Sequence, residues 1–269
     1  MRAPRFTGIG TFMRLPNVTD MDSVDAAFLG IPFDTAVTYR IGGRFAPAAI
    51  REASRLLRPY NVEQDVEIFE HVSAVDAGDL AVIPGNVEAS YEVIDKGLGP
   101  ILAAEVVPLA IGGDHSITLA ELRAIAKRHG PVGLVDFDSH TDTWDNYWGE
   151  RYTHGTWCRR AIEEGLIETS RAVQLGIRGS LYGSEDRDGA RALGLHLIPT
   201  ETLLERGVDA VLPEVLTRIG EGPVFVGFDL VEVQPQYDHG EVTSLLAGTL
   251  LHEFLTLIAL NCRDGSSVR

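Results

Sequence analysis

The stretch that decides the fold reads Val135-Asp136-Phe137-Asp138-Ser139-His140-Thr141-Asp142. It follows an apolar run at residues 131–135, which indicates a buried strand that ends in a polar cluster. Because side chains alternate between the two faces of a strand, Asp138, His140 and Asp142 can converge on one point. Two carboxylates and an imidazole suit a borderline divalent cation. Turn and capping residues at a strand end are the alternative that this stretch leaves open.

A second apolar run, at residues 106–111, leads into Gly112-Gly113-Asp114-His115-Ser116. In an open parallel sheet, ligands gather at the carboxyl ends of the strands, so His115 could join the same site. Two strand ends of this kind favour a metal site over a set of capping residues.

Composition narrows the class of protein. The 269 residues are 45% hydrophobic, which is enough for one large core or two small ones. The net charge of −16 and the lack of a basic stripe argue against nucleic acid as a partner. An acidic field would attract a cationic substrate, although a solvated acidic surface is the commoner explanation.

Cysteine content and apolar segments indicate the compartment. Cys158 and Cys262 are the only cysteines and form no CxxC pair, so neither a disulfide framework nor a thiolate zinc site is implied. The longest apolar stretch, residues 245–260, is interrupted by His252 and Glu253 and is short for a membrane span. No segment of signal-peptide type occurs in the first 20 residues. We therefore expect a cytoplasmic protein with no membrane partner.

Strands alternate with helices along the chain, which predicts parallel βαβ units in a three-layer αβα sandwich. With no repeat or linker, residues 1–269 are predicted to form a single domain. The predicted strands are 26–31, 72–77, 106–111, 132–138, 172–177, 196–198 and 224–231. The predicted helices are 48–57, 87–104, 117–129, 156–164, 184–193, 208–219 and 243–260.

Three motifs now support a resemblance. They are residues 112–116 (GGDHS), 136–142 (DFDSHTD) and 227–233 (GFDLVEV). In this order they resemble the ureohydrolases, the family of arginase, agmatinase and the guanidino-acid hydrolases, and the bacterial agmatinase and guanidinobutyrase branch most of all. The resemblance covers nearly the whole chain and implies the arginase-like α/β fold.

The resemblance also implies two manganese ions per subunit, bridged by a hydroxide that attacks the guanidinium carbon and releases urea. By resemblance, His115, Asp138 and Asp142 bind one ion, while Asp138 and His140 bind the other. Two close cations lower the pKa of a bridging water, so that hydroxide exists near neutral pH. Asp136 is expected to support the site rather than to bind metal.

Two further residues acquire roles through the resemblance. His154, in the sequence His154-Gly155-Thr156, resembles the proton-shuttling histidine that protonates the leaving amine. Glu232 resembles the carboxylate that accepts hydrogen bonds from the guanidinium. Without the family, both would be interpreted as exposed loop or strand-end residues. The aromatic residues between 144 and 157 could line the pocket or simply pack together.

One family signature is missing. Ureohydrolases have a strand that ends in Ser-Phe-Asp-x-Asp and supplies metal-binding aspartates, with a helix between it and the later strand that carries the glutamate. Here the chain runs directly into Phe228-Asp229, and residue 231 is valine. Asp229 is either a substitute metal ligand or a structural residue of the later strand. We expect a weakened second metal site and a fold short of one strand–helix unit, unless the strand through Asp229 fills the gap.

Three functions remain open from the sequence. The first is a manganese-dependent amidinohydrolase of polyamine metabolism that acts on a linear guanidino compound, with agmatine preferred and guanidinobutyrate or guanidinopropionate next. The alternative is a non-catalytic, metal-deficient member acting within an oligomer. A third, amide hydrolysis resembling the polyamine deacetylases, is disfavoured by Glu232. By resemblance the protein is a homo-oligomer, either a trimer or a hexamer.

Overall fold

The computed structural model describes residues 4–226 and 230–265. Two compact units can be separated: unit 1 combines Met1–Asp114 with Phe228–Arg269, and unit 2 is His115–Gly227. The prediction of a single domain over residues 1–269 stays a prediction.

Within the described residues, parallel strands and helices alternate as predicted. The strands are β1 (Ala26–Ile31), β2 (Tyr60–Asn61), β3 (Val66–Glu67), β4 (Ala74–Asp79), β5 (Val107–Gly112), β6 (Val132–Phe137), β7 (Ile167–Ile177), β8 (His196–Pro199) and β9 (Val224–Val226). The helices are α1 (Ala46–Ser54), α2 (Val87–Ala103), α3 (Ile117–His129), α4 (Trp157–Glu163), α5 (Ser184–Ala192), α6 (Thr200–Arg206), α7 (Val208–Ile219) and α8 (Val242–Arg263).

Unit 1 is built on a parallel sheet in the order β4-β1-β5, with β1 buried along its whole length. Helix α8 packs on α1 and contributes Leu251, Leu255 and Ile258 to the core. Each such buried side chain stabilises the fold by roughly 1.5–3 kcal/mol. The segment His239–Arg263 is long and apolar enough to cross a membrane, but 44% of its most apolar window is buried in the protein. The core helices of soluble proteins are often as long and as apolar, so these two properties are weak evidence for a membrane span.

The carboxyl end of β5 is held by close backbone contacts within unit 1. A Cβ on Gly113 would lie 1.8 Å from the carbonyl oxygen of Phe33, so only glycine fits at this position. The Asp114 amide donates to that same oxygen at 2.7 Å, and the Asp114 carboxylate accepts from the Ala36 amide at 2.9 Å. The Glu232 amide donates to the Gly113 carbonyl at 2.7 Å. These contacts fix the backbone just before His115.

Unit 2 contains a parallel sheet in the order β8-β7-β6-β9. Strand β6 lies between β7 and the three-residue edge strand β9, and its register places Asp136 opposite Gln174 of β7. The core under the sheet consists of Val135, Val173, Leu175, Ile198, Val211 and Val215. The strand that carries the metal motif is therefore an interior strand.

Most predicted elements agree with the structure, and the bounds of β1, α3 and α7 agree at both ends. Strand β7 begins at Ile167, five residues before the predicted start at residue 172. Residues 168–171 at the start of this strand are polar and partly or fully exposed, so no apolar run indicated a strand there. The short pair β2–β3 and helix α6 were not predicted, and α6 buries no residue, so it offers no apolar periodicity.

The predicted strand over residues 224–231 is described only in part, at residues 224–226 and 230–231. Val224–Val226 pairs with β6, whereas Leu230 forms an isolated bridge with Ile111 of β5. The Leu230 amide donates to Ala110 and its carbonyl accepts from Gly112. One short stretch therefore pairs with two different strands. The predicted ligand Asp229 lies outside the described residues.

Candidate metal centre

The loop that follows β6 is organised by its own polar side chains. The Asp138 amide continues the ladder to Leu175 at 3.0 Å, and the Asp138 carboxylate accepts from the His140 amide at 2.9 Å. Asp142 has a φ of 48°, in the left-handed region that non-glycine residues rarely adopt. The indole N–H of Trp157 donates to Asp142 Oδ2 at 2.8 Å and helps to hold this conformation. Strained backbone of this kind is common at functional sites.

His115 faces two carboxylates at once. Its Nδ1 lies 3.1 Å from Asp138 Oδ2 and 3.1 Å from Asp142 Oδ2. A single ring nitrogen carries at most one proton, so it cannot donate a full hydrogen bond to both carboxylates at once. The Trp157 ring packs beside the His115 ring at 4.8 Å between centroids. The structure thus brings together the three residues that the resemblance assigned to one metal ion.

Asp136 belongs to the same cluster. It is buried, and its Oδ2 accepts a 2.8 Å hydrogen bond from Gln174 Nε2, which also donates to the Thr141 carbonyl. The candidate ligand atoms of His115, Asp136 and Asp138 all lie within 4.8 Å of one another. The sequence analysis had given Asp136, two residues before Asp138, a supporting role rather than a metal-binding one.

His140 stands at the margin of the cluster. Its ring is 46% exposed, and Nδ1 lies 3.7 Å from Asp138 Oδ1 and 3.0 Å from Ser139 Oγ. The Ser139 carbonyl accepts amide hydrogen bonds from Arg178 and Gly179. A Cβ on Gly179 would lie 2.4 Å from the His140 ring. The role of His140 at a second ion stays a prediction.

His154 lies in the same unit, partly buried, with its ring 6.5 Å from that of Tyr147. Tyr147 packs edge-on against Trp144, whose indole N–H donates to Asp186 at 2.9 Å. A Cβ on Gly155 would lie within 3 Å of both aromatic rings, so the glycine after His154 is required for this packing. The sequence left open whether these aromatic residues line a pocket, and the structure shows them packed beside His154.

The electrostatics of the cluster follow from burial. Burial alone would lower the pKa of His115, but Asp138 and Asp142 outweigh it and raise that pKa well above its ordinary value. Burial would raise the pKa of Asp138, but the adjacent His115 lowers it to about 2. Burial raises the pKa of Asp136 to about 7 and also raises the pKa of Asp142. Three acids around one imidazole form a site that a cation would stabilise.

This donor set fits a divalent ion of the manganese type. Carboxylate oxygens with one imidazole nitrogen are typical ligands of such ions. The buried Oδ2 of Asp138 accepts no hydrogen bond of regular geometry from the described residues. Its lone pairs thus remain available to a metal ion.

Glu232 lies in unit 1 and is exposed, with a φ of 61°. As with Asp142, a non-glycine residue in the left-handed region is held there by its surroundings, in this case by the bond to Gly113. Its predicted role toward a guanidinium stays a prediction.

Comparison with known proteins identifies the family. The Arginase family matches residues 24–230 and, separately, residues 222–256. The two matches share residues 222–230, as expected if this stretch resembles two segments of the family. Guanidinobutyrase of Pseudomonas aeruginosa is 38% identical over 95% of this chain and 81% of its own length.

Guanidinopropionase of the same organism is 37% identical over 298 aligned positions, covering 95% of this chain and 93% of that protein. The alignment is longer than the 269-residue chain, so this chain lacks residues that the relative has. The solved structure of proclavaminate amidinohydrolase from Streptomyces clavuligerus superposes with a TM-score of 0.90. It is 33% identical, and the superposition covers 96% of this chain and 99% of that one. This likeness confirms the predicted three-layer α/β fold with mainly parallel sheets, and the chain belongs to the arginase family of ureohydrolases.

Proposed function

We propose that this protein is a metal-dependent amidinohydrolase that cleaves a linear guanidino compound to an amine and urea. The observation that carries the proposal is the convergence of His115, Asp138 and Asp142, with both carboxylates 3.1 Å from one imidazole nitrogen. Membership of the arginase family supports the reaction class. The relatives named guanidinobutyrase and guanidinopropionase support a guanidino substrate.

His115, Asp138 and Asp142 would hold the first manganese ion. His140 and Asp138 would contribute to a second, with Asp229 as a further candidate outside the described residues. When bound, manganese would lower the pKa of a water molecule at the site toward neutrality and offset negative charge. Two ions are expected from the family, with the second weakened by the missing aspartates.

The remaining roles belong to side chains. His154 would donate a proton to the leaving amine. Glu232 would accept hydrogen bonds from the substrate guanidinium. The backbone bond between Glu232 and Gly113 holds that residue at a fixed point beside the end of β5.

Agmatine is the first substrate to test, since the acidic chain would attract a dication. Guanidinobutyrate and guanidinopropionate follow, because two relatives carry their names. The proposal includes a cytoplasmic homo-oligomer, either a trimer or a hexamer, with no nucleic-acid or membrane partner.

The test is urea release from these three substrates, measured together with bound manganese per chain. We expect turnover that depends on manganese and falls by roughly 10²–10⁴-fold in His154→Asn, while manganese content stays unchanged. No urea from any of the three substrates at saturating manganese would refute the proposal.

A second candidate is a non-catalytic, metal-deficient family member. The observation in its favour is that residues 222–230 match two parts of the family, while the described residues of this stretch form one strand, Val224–Val226. One ion per chain with no turnover would identify this protein as such a member.

A further inference from the structure

We propose that Asp136 is itself a metal ligand, which with His115, Asp138 and Asp142 completes a single-ion site contained wholly in unit 2. The inference rests on the metal dependence in the proposed function and departs from it at the ligand set. This ligand set includes no residue from 224–232, the stretch where the family's second aspartate motif is missing.

The distances permit a shared ion. Donor atoms bound to one small divalent ion lie at most about 4.4 Å apart, since each is roughly 2.2 Å from the metal. The ligand atoms of His115, Asp136 and Asp138 lie within 4.8 Å of one another. A shift of a few tenths of an ångström would therefore suffice.

Strand geometry explains why the Asp136 carboxylate can reach the metal ion that Asp138 would bind. Asp136 and Asp138 are two residues apart along β6 and its continuation, so their side chains share a face. The register opposite Gln174 holds Asp136 in place, and the Gln174 amide bonds to its Oδ2. Oδ1 of the same carboxylate would then contact the metal ion.

The charge balance points the same way. Asp136 is 3% exposed and Asp142 is 6% exposed, so neither is well hydrated. One imidazole is shared between Asp138 and Asp142, and the side-chain donor seen for Asp136 is the neutral amide of Gln174. Three buried carboxylates beside a single imidazole are destabilising unless further positive charge is bound. A divalent ion touching all three acids would supply the missing charge.

A ligand-swap experiment tests direct contact. In Asp136→Cys, Cd²⁺ should produce the ultraviolet cadmium–thiolate charge-transfer band above the background of the wild-type protein, because thiolate is a soft ligand for this ion. Gln174→Cys is the matched control: it changes the residue that touches Asp136 and should give no band. Bound cadmium without a band in Asp136→Cys would overturn the inference.

Thermodynamic measurements add a second readout. In Asp136→Asn, we expect the Kd for Mn²⁺ to rise about 100-fold or more and the manganese-induced rise in Tm to disappear, while the metal-free Tm stays equal or increases. A purely structural Asp136 predicts the reverse, a lower metal-free Tm with manganese binding within about threefold of wild type. Urea release by the wild type is scored separately. An inactive chain that binds one ion through Asp136 would keep this inference and lose the proposed function.

Discussion

The carboxyl ends of β6 and β9 differ in the candidate metal ligands that follow them. The carboxyl end of β6 and the loop after it carry four candidate ligand residues, Asp136, Asp138, His140 and Asp142, within seven positions of the chain. After α7, the described residues give a strand at Val224–Val226 and a bridge from Leu230 to β5. We expect a metal site built by one contiguous stretch and His115 to tolerate the loss of a segment. A site that needs ligands from a further strand is expected to be weakened.

The family comparison gives the same contrast. Residues 222–230 are matched twice, while residues 115–142 fall within a single match. The shortening thus falls on the part that the resemblance assigns to the second ion. The residues that the resemblance assigns to the first ion lie in unit 2, and Glu232 lies in unit 1. Each prediction below tests one side of this contrast.

The largest effect is expected from Asp138→Asn. Asp138 faces His115 and would contact both ions, so its loss should remove bound manganese. A metal ion contributes several kcal/mol to catalysis, and urea release should therefore fall about 10³-fold or more. Manganese content by elemental analysis and steady-state urea release would measure both effects. Retained metal and turnover would show that the cluster on β6 is not the centre.

Glu232→Gln tests the other region. A charge-assisted hydrogen bond contributes about 1.5–3 kcal/mol, so kcat/KM for the guanidino substrate should fall roughly 10–100-fold. Manganese content should not change, because Glu232 is not in the ligand set. If the variant instead loses manganese at unchanged kcat/KM per bound ion, Glu232 belongs to the metal site and the contrast between the two regions fails.

Gly179→Ala probes the margin of the β6 cluster. The new methyl group would lie 2.4 Å from the His140 ring and displace it. We expect the weaker manganese site to lose about tenfold in affinity, as when a residue behind a ligand is changed. Gly189→Ala is the matched control, since nothing lies within 4 Å of its Cβ. In a His140→Ala background, Gly179→Ala should have no further effect on the manganese Kd, measured by titration.

The smallest effect is expected at Asp238 in unit 1. Its carboxylate accepts amide hydrogen bonds from Thr243 and Ser244 at the start of α8. Burial alone would raise the pKa of Asp238, but these bonds lower it to about 2. The folded pKa lies below the ordinary value of 3.8, so the stabilisation is complete above about pH 4 and is lost as the pH falls toward 2.

Asp238→Asn should lower the free energy of unfolding by about 1 kcal/mol at pH 7 and flatten its dependence on pH between about 4 and 2. Urea denaturation at several pH values measures both effects. Manganese affinity should match the wild type. A change in that affinity would mean that the end of α8 and the metal cluster are coupled.

Local sequence predicted much of this protein. Helices α3 and α7 and strand β1 agree at both ends with the structure, because apolar periodicity and flanking glycines are local signals. The motifs around His115 and Asp138 named candidate metal ligands before any distance was known, and their order named the family. Helix α6, which buries no side chain, was missed because it carries no such signal.

The partners of residues 224–230 were decided only by the tertiary structure. Apolar residues in a row predict a strand but not the strand it pairs with, and here the row divides between β6 and β5. The place of Asp136 in the metal cluster has the same origin. The sequence predicted a supporting role for Asp136, and only the register with Gln174 and the approach of His115 bring its carboxylate among the candidate ligands. The sequence thus determined which residues are candidates for the chemistry, whereas packing between segments far apart in the chain decided which of them meet.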